Sequence, residues 1–227
     1  MELISFFFMK LRCLISIIVI LNSFTYTLYS KNTISIGIMS SYNNSNINFY
    51  NNFFPQNIRT NTISNYNLSF LTEIKNSKNT GIRIEVSKLR RGWSENLNSE
   101  LISNEFEFLN VPVMMTTYFG EKNFKLNFSL GPYAEFQLNN NLNELKTLFP
   151  NNDFFFDDER DNSFGYGIKA SGGFSIDLNK SSFLFLVSYL YNFDNLVDVE
   201  QKTNLIPDIS NLRTLSFSLV YLFNFKN

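Results

Sequence analysis

Between Ser163 and Phe193 the chain alternates apolar and polar residues with a period of two. Phe164, Tyr166, Ile168, Ala170, Phe174, Ile176 and Leu178 share one parity, while Gly165, Gly167, Lys169, Ser171, Gly173, Ser175 and Asp177 hold the other. After Asn179-Lys180-Ser181 the pattern resumes, with Phe183, Phe185, Val187, Tyr189, Tyr191 and Phe193 on one face. Successive side chains of a strand point to opposite faces, so each run predicts a strand with one apolar face. The three-residue turn joins them as an antiparallel hairpin. Pattern alone leaves the polarity open. A soluble sheet turns the aromatic face into a core, whereas a membrane barrel turns it outward into lipid. Both runs reach the roughly 9–11 residues that a tilted strand needs to cross a bilayer.

The alternation recurs along the chain. Asn32 to Tyr42 carries Ile34, Ile36 and Ile38 on one parity. Tyr66 to Lys75 sets Tyr66, Leu68, Phe70 and Ile74 against Asn67, Ser69, Glu73 and Lys75. Gly81 to Leu89 sets Ile82, Ile84 and Val86 against Arg83, Glu85 and Ser87. Glu105 to Phe119 is less clean, because Leu109, Val111, Val113 and Met115 compete with Phe106, Phe108 and Met114. Pro112 removes a ladder donor there and predicts a bulge or irregularity. Phe124 to Leu138 and Arg213 to Phe225 complete the set. Eight strands result.

The connections alternate in length. Asn76 to Thr80, Gly120 to Asn123 and Asn179 to Ser181 are tight turns. Asn43 to Asn65 (with its break at Phe54-Pro55), Arg90 to Asn104, Asn139 to Asn162 and Asp194 to Asn211 read as longer loops. Outer-membrane barrels have this asymmetry, with short periplasmic turns and long outer loops. The predicted fold is therefore all-β: an eight-stranded, antiparallel, up-and-down transmembrane β-barrel with both termini on the short-turn side.

The first residues change the picture next. Lys10 and Arg12 precede the apolar run Leu14 to Leu21, which is far short of the roughly 20 residues of a spanning helix. Residues 1–30 thus read as a secretory signal peptide, helical in its apolar stretch, with cleavage near Ser30 and residues 31–227 as the barrel domain. Met9 opens MKLR, a more usual start than Met1. An uncleaved anchor is the competing reading. Cys13, the one cysteine, lies before the apolar run and does not read as a lipoprotein acylation site.

Composition narrows the chemistry. The net charge of -1 offers no basic field for nucleic acid. The chain has no His, which removes much acid–base, hydrolase and metal chemistry. No cofactor, metal site or catalytic residue is predicted. The inward parity places Glu73, Lys75, Arg83, Glu85, Lys125, Glu135, Lys169 and Asp177 inside the barrel. Eight strands enclose a space that side chains just fill. A network of internal ion pairs is expected, because an unpaired charge there costs several kcal/mol. Tyr118, Phe119, Phe124, Phe136, Phe164, Tyr191, Phe193 and Phe225 are expected in the interfacial girdles.

Three further features bear on function. The acidic run Asp153 to Asp161 lacks the spacing and Gly of a calcium loop, so it reads as a solvated loop. Arg90-Arg91 beside Trp93 offers either a lipid-phosphate fork or, preferred, snorkelling cations at a strand end. Phe154-Phe155-Phe156 is either a partner patch or packs on its own loop.

Several stretches together resemble the PorT-like outer-membrane β-barrel family of Bacteroidetes. They are Gly81 to Lys88 (GIRIEVSK) with Arg91-Gly92, Phe108 to Met115 (FLNVPVMM), Tyr118 to Gly120 (YFG) and Leu130 to Tyr133 (LGPY). The family's basic residue after the Leu-x-x-Pro strand is absent, and Thr116-Thr117 stands there. The resemblance covers residues from about 33 onward and implies an eight-stranded outer-membrane barrel, with an accessory role in protein secretion for the namesake. The expected function is a non-enzymatic outer-membrane barrel, an accessory of secretion or a surface interaction protein. Its expected partners are outer-membrane lipid or lipopolysaccharide, and proteins met through the long loops or the periplasmic face. The alternative is a soluble lipocalin-like carrier with the apolar face turned inward around a ligand. An outer-membrane lipid-modifying enzyme is disfavoured, because such Ser–His chemistry needs a histidine.

Overall fold

The computed structural model describes residues 33–50, 60–76, 79–97, 100–120, 123–141, 145, 163–197 and 209–226. The predicted leader, the acidic run Asp153 to Asp161 and the Phe154-Phe155-Phe156 patch lie outside these residues.

Eight strands run in chain order: β1 (Thr33–Tyr50), β2 (Thr60–Lys75), β3 (Thr80–Leu97), β4 (Glu100–Phe119), β5 (Phe124–Asn140), β6 (Phe164–Leu178), β7 (Ser181–Asn192) and β8 (Ile209–Lys226). Each pairs antiparallel with the next, and β8 returns to β1 to close the barrel. The closing seam runs from Thr33 opposite Lys226 to Tyr50 opposite Ile209. No edge is left, so every strand finds backbone partners on both sides, the condition for strands to survive in lipid.

The aromatic parity faces outward. Ile36, Phe70, Met115, Phe128, Phe185 and Leu219 are all exposed, whereas Ser41, Glu73, Arg83, Asn127, Lys169 and Ser218 are buried in the lumen. A soluble carrier would need the reverse, so the lipocalin-like alternative fails on this point. On β8 the apolar exterior runs ten steps, from Phe225 to Leu215. At about 3.4 Å per residue and a tilt of about 40°, that band is about 26 Å tall, the height of a bilayer's apolar layer. Exposed rings rim it: Tyr42 lies against Tyr66, and Phe136 against Phe164, at one margin, while Phe119 meets Phe128 and Phe223 meets Phe225 toward the other.

The strands overshoot this band at the long-loop end, which corrects several predicted boundaries. β1 continues through the Asn-rich segment to Tyr50, β2 starts at Thr60, and β8 starts at Ile209. The predicted loop from Arg90 to Asn104 is instead a continuous hairpin, with β3 ending at Leu97 and β4 starting at Glu100. The reason is physical. Above the lipid the outward face turns polar at Asn44, Asn46 and Asn48, while the inward face passes from Asn43 and Ser45 to Ile47 and Phe49, so the parity of the lipid band breaks and then reverses while the ladder persists. The irregularity assigned to Pro112 is also displaced. Pro112 stays in register opposite Tyr133, and the shift between β4 and β5 falls at Glu107/Phe108.

Candidate functional site

The lumen gathers most of the buried charge among the described residues, and it is built in layers. At the short-turn end Arg83 lies 2.7 Å from Glu73, both fully buried. Tyr118 donates to Glu73 Oε1 at 2.6 Å and accepts from Arg83 Nη2 at 3.0 Å. Glu73 and Arg83 face each other on β2 and β3, and Tyr118 enters from β4. Tyr118 is thus a lumen residue, not the girdle residue expected. It shares the inward parity of Met114 and Thr116. Lys75 Nζ sits 4.5 Å from the centre of its ring, a cation–π distance. Beside this group Lys125 pairs with Asp177 at 2.9 Å. Ser182 donates to Asp177 at 2.7 Å, Asn224 to Ser182 at 3.0 Å, and Ser35 to Asn224 at 2.7 Å.

An apolar layer follows, made of Met39, Leu71, Leu184, Leu186, Val220 and Leu222. Above it Lys169 of β6 reaches across the lumen and pairs with Glu85 of β3. A cavity of about 20 Å³ lies beside Lys169 among Ser41, Ser69 and Ser218. That is room for about one water and not for a passage.

The next layer is centred on Glu135. Arg91 Nη1 contacts both of its carboxylate oxygens at 2.8 Å, and Arg91 Nε donates to Thr214 at 2.9 Å. Asn192 donates to Glu135 at 2.6 Å and Asn110 at 3.2 Å, while Tyr133 donates to Asn192 at 2.6 Å. Gly167 lets the strands and this ring pack so closely: a Cβ there would stand 2.0 Å from the Tyr191 backbone carbonyl oxygen and 2.7 Å from the Tyr133 hydroxyl. The residues behind the PorT-like resemblance converge here, since Arg91, Asn110 and Tyr133 all come from those stretches.

A lid closes the long-loop end. Trp93 stacks on Phe106 with centroids 5.6 Å apart, and Phe49 meets Trp93 edge-on at 5.2 Å. Phe108, Ile47, Leu212, Leu196 and Val197 complete the cluster. On its tip side Asn104 donates to Glu95 at 2.9 Å. Burial raises the Glu95 carboxyl above the ordinary carboxylate range, against that hydrogen bond.

The eight charges assigned to the inward parity therefore lie as follows. Glu73 joins Arg83, Glu85 joins Lys169, Lys125 joins Asp177, Lys75 rests on Tyr118, and Glu135 takes a partner outside the set, Arg91. The Arg90-Arg91-Trp93 reading as a rim fork or a snorkelling pair is corrected. Arg91 and Trp93 point inward and are fully buried. Arg90 points outward and is held by Glu107 at 2.7 Å, with Lys88 on the same carboxylate at 2.8 Å. Those hydrogen bonds keep the Glu107 carboxyl below its ordinary range. Continuing the parity of Arg83, Glu85, Ser87 and Leu89 by one step would have found Arg91.

Chemically, the lumen carboxylates Glu73, Glu85, Glu135 and Asp177 are each held by a cation, whereas Glu95, nearer the hairpin tip, is held by the Asn104 amide. Such groups are structural partners, not bases poised for proton transfer.

A family model described as "Outer membrane protein beta-barrel domain" matches residues 22–198. No curated protein matches the sequence. Among solved structures, the outer membrane protein OprG from Pseudomonas aeruginosa is similar at a TM-score of 0.53 and 12% identity, over 87% of this chain and 97% of that one. The outer membrane protein AlkL, solved in lipid bilayers, is similar at a TM-score of 0.50 and 13% identity, over 87% and 92%. At these identities the structures speak to the fold alone.

Proposed function

The chain belongs to the outer membrane protein beta-barrel domain family, and on that premise we propose that it is a non-conducting, non-enzymatic barrel that works as a surface interaction protein. The outer membrane is its location, and its strands carry an apolar face to lipid. The observation that carries the proposal is the asymmetric overshoot of the strands. At the short-turn end they stop close to the apolar band, whereas at the other end β1, β3, β4 and β8 run on past it. That extension is packed internally by the Trp93 cluster. A wall so filled is a preformed platform, and a preformed platform lowers the ordering cost of binding a partner. Its tip is exposed at Asn96, and at Leu101, which stands opposite it.

Within this reading, the PorT-like motifs favour a partner in protein secretion over a small ligand. The lumen supports the same choice, because its charges are consumed by one another.

The test is a photo-crosslinking residue placed at Asn96 or at Met115 in intact cells. Met115 lies on the outward apolar face. The proposal predicts a discrete protein adduct from Asn96 and only lipid adducts from Met115. No protein adduct from Asn96 across growth conditions, or equal adducts from both sites, would overturn it. Loss of exported proteins on deletion of the gene would favour the secretion role, and unchanged export would remove it.

A further inference from the structure

The outer face of the wall carries one more arrangement, across β7, β8, β1 and β2. Arg213 points outward at the upper margin of the lipid-facing band, opposite Tyr191 on one side and Asn46 on the other. A concavity of about 330 Å³ opens beside it, lined by Arg213, Asn44, Asn46, Thr62, Tyr189 and Leu215. The other outward cations near this margin, Lys88 and Arg90, share Glu107. Among the described residues Arg213 has no carboxylate partner, and none lines the concavity.

We propose that this concavity binds the phosphorylated headgroup of a lipid in the surrounding leaflet, with Arg213 on the phosphate. Three features point to that ligand. An unpaired guanidinium offers a planar fork of donors that matches a phosphate. The Asn44 and Asn46 amides and the Thr62 hydroxyl add uncharged donors and acceptors, which suits the hydroxyl groups of a sugar or glycerol. Directly below, Leu215, Phe217 and Leu219 are exposed and apolar, so acyl chains on the same molecule continue down the lipid-facing wall. A soluble anion would use the first feature only. A phosphorylated lipid uses all three, and the site stands where such headgroups lie.

The experiment is native mass spectrometry of the detergent-solubilised full chain. The probes are a bis-phosphorylated glucosamine glycolipid, the same glycolipid without phosphate, and inorganic phosphate alone. The parent chain should retain the phosphorylated lipid about tenfold more tightly than Arg213→Gln, since one charge-assisted contact is lost. Arg213→Lys keeps the charge without the fork and should fall between them, while Arg90→Gln should match the parent. Among the described residues the Arg213 side chain makes no hydrogen bond or ion pair, so its replacement should leave the fold intact, and heat-modifiable migration checks that each variant is folded. Equal retention by the parent and Arg213→Gln would overturn the site. Equal retention of the two glycolipids would remove the phosphate. Inorganic phosphate held as tightly as the lipid would remove the lipid.

Discussion

Truncation of Glu135 to Ala should be among the most damaging single changes in the lumen. The carboxylate is buried and receives Arg91, Asn192 and Asn110. Its removal leaves the Arg91 guanidinium fully buried with two neutral hydroxyl partners, Thr214 and Tyr133, and no counter-charge beside it. Breaking a buried pair by deleting one partner costs about 3–5 kcal/mol, because the other charge stays desolvated. The stranded Asn amides add to that, at about 1 kcal/mol or more each. Urea unfolding of the chain refolded into detergent micelles or vesicles measures the loss. With an m-value of about 2 kcal/mol/M, the combined loss of about 5–7 kcal/mol should lower the midpoint by about 3 M. The double variant Arg91→Met/Glu135→Ala completes a thermodynamic cycle. It should be more stable than the sum of the two single losses implies, because it removes the stranded charge. A midpoint shift for Glu135→Ala worth under about 1 kcal/mol, or strict additivity in the double variant, would refute the reasoning.

Other expectations follow from the same layers. Leu219→Arg places a charge on the outward face in the middle of the apolar band and should cost about 2–4 kcal/mol in vesicle unfolding, whereas Asn48→Arg, above the band, should cost about 0–1. Gly167→Ala sets a methyl 2.0 Å from the Tyr191 backbone carbonyl oxygen and 2.7 Å from the Tyr133 hydroxyl and should lose about 1–3 kcal/mol or more, read by the same unfolding assay and not rescued by Tyr133→Phe, which leaves the backbone clash in place. For pH, burial raises the Glu95 carboxyl in the folded extension. The folded form then binds more protons than the opened one, so the contribution of Glu95 is present below the ordinary carboxylate range and lost as pH rises through the raised value. Hydrogen-exchange protection of the Trp93 to Glu95 amides, corrected for intrinsic rates, should therefore rise on acidification, and Glu95→Gln should flatten that dependence.

Legibility in the sequence followed the solvent. Where lipid faces one side of a strand, as from Phe164 to Leu178, period two is strong, and both fold and facing could be read from it. Above the lipid the outside of β1 carries Asn44, Asn46 and Asn48 while Ile47 and Phe49 turn inward, so the parity of the lipid band breaks and the strand reads as a loop. That loss hid half of the β3–β4 hairpin and turned Arg91 into a rim residue. Tyr118 was misplaced for a different reason. The inward parity of β4 holds the lid residues Phe106 and Phe108, so apolarity did not distinguish its faces. Asn104, Asn110 and Thr116 on the same parity carried the missing signal. Parity assigned eight charges to the inward face without Arg91 or Glu95, and it carried no information on who pairs with whom. Lys169 meets Glu85 across the barrel through a stagger of strands that no local pattern encodes. The outward position of Arg213 was readable too, yet its lack of a partner depends on four strands meeting in space.

Current through the reconstituted chain tests the account most directly. Ion pairs at three levels and an aromatic lid fill the lumen, and the cavity beside Lys169 holds about 20 Å³. In planar bilayers the parent chain should insert, as reported by heat-modifiable migration of the recovered protein, without steady conductance. Stable, stepwise openings by the parent chain would contradict a packed lumen and with it the proposal that the protein acts through its outer wall.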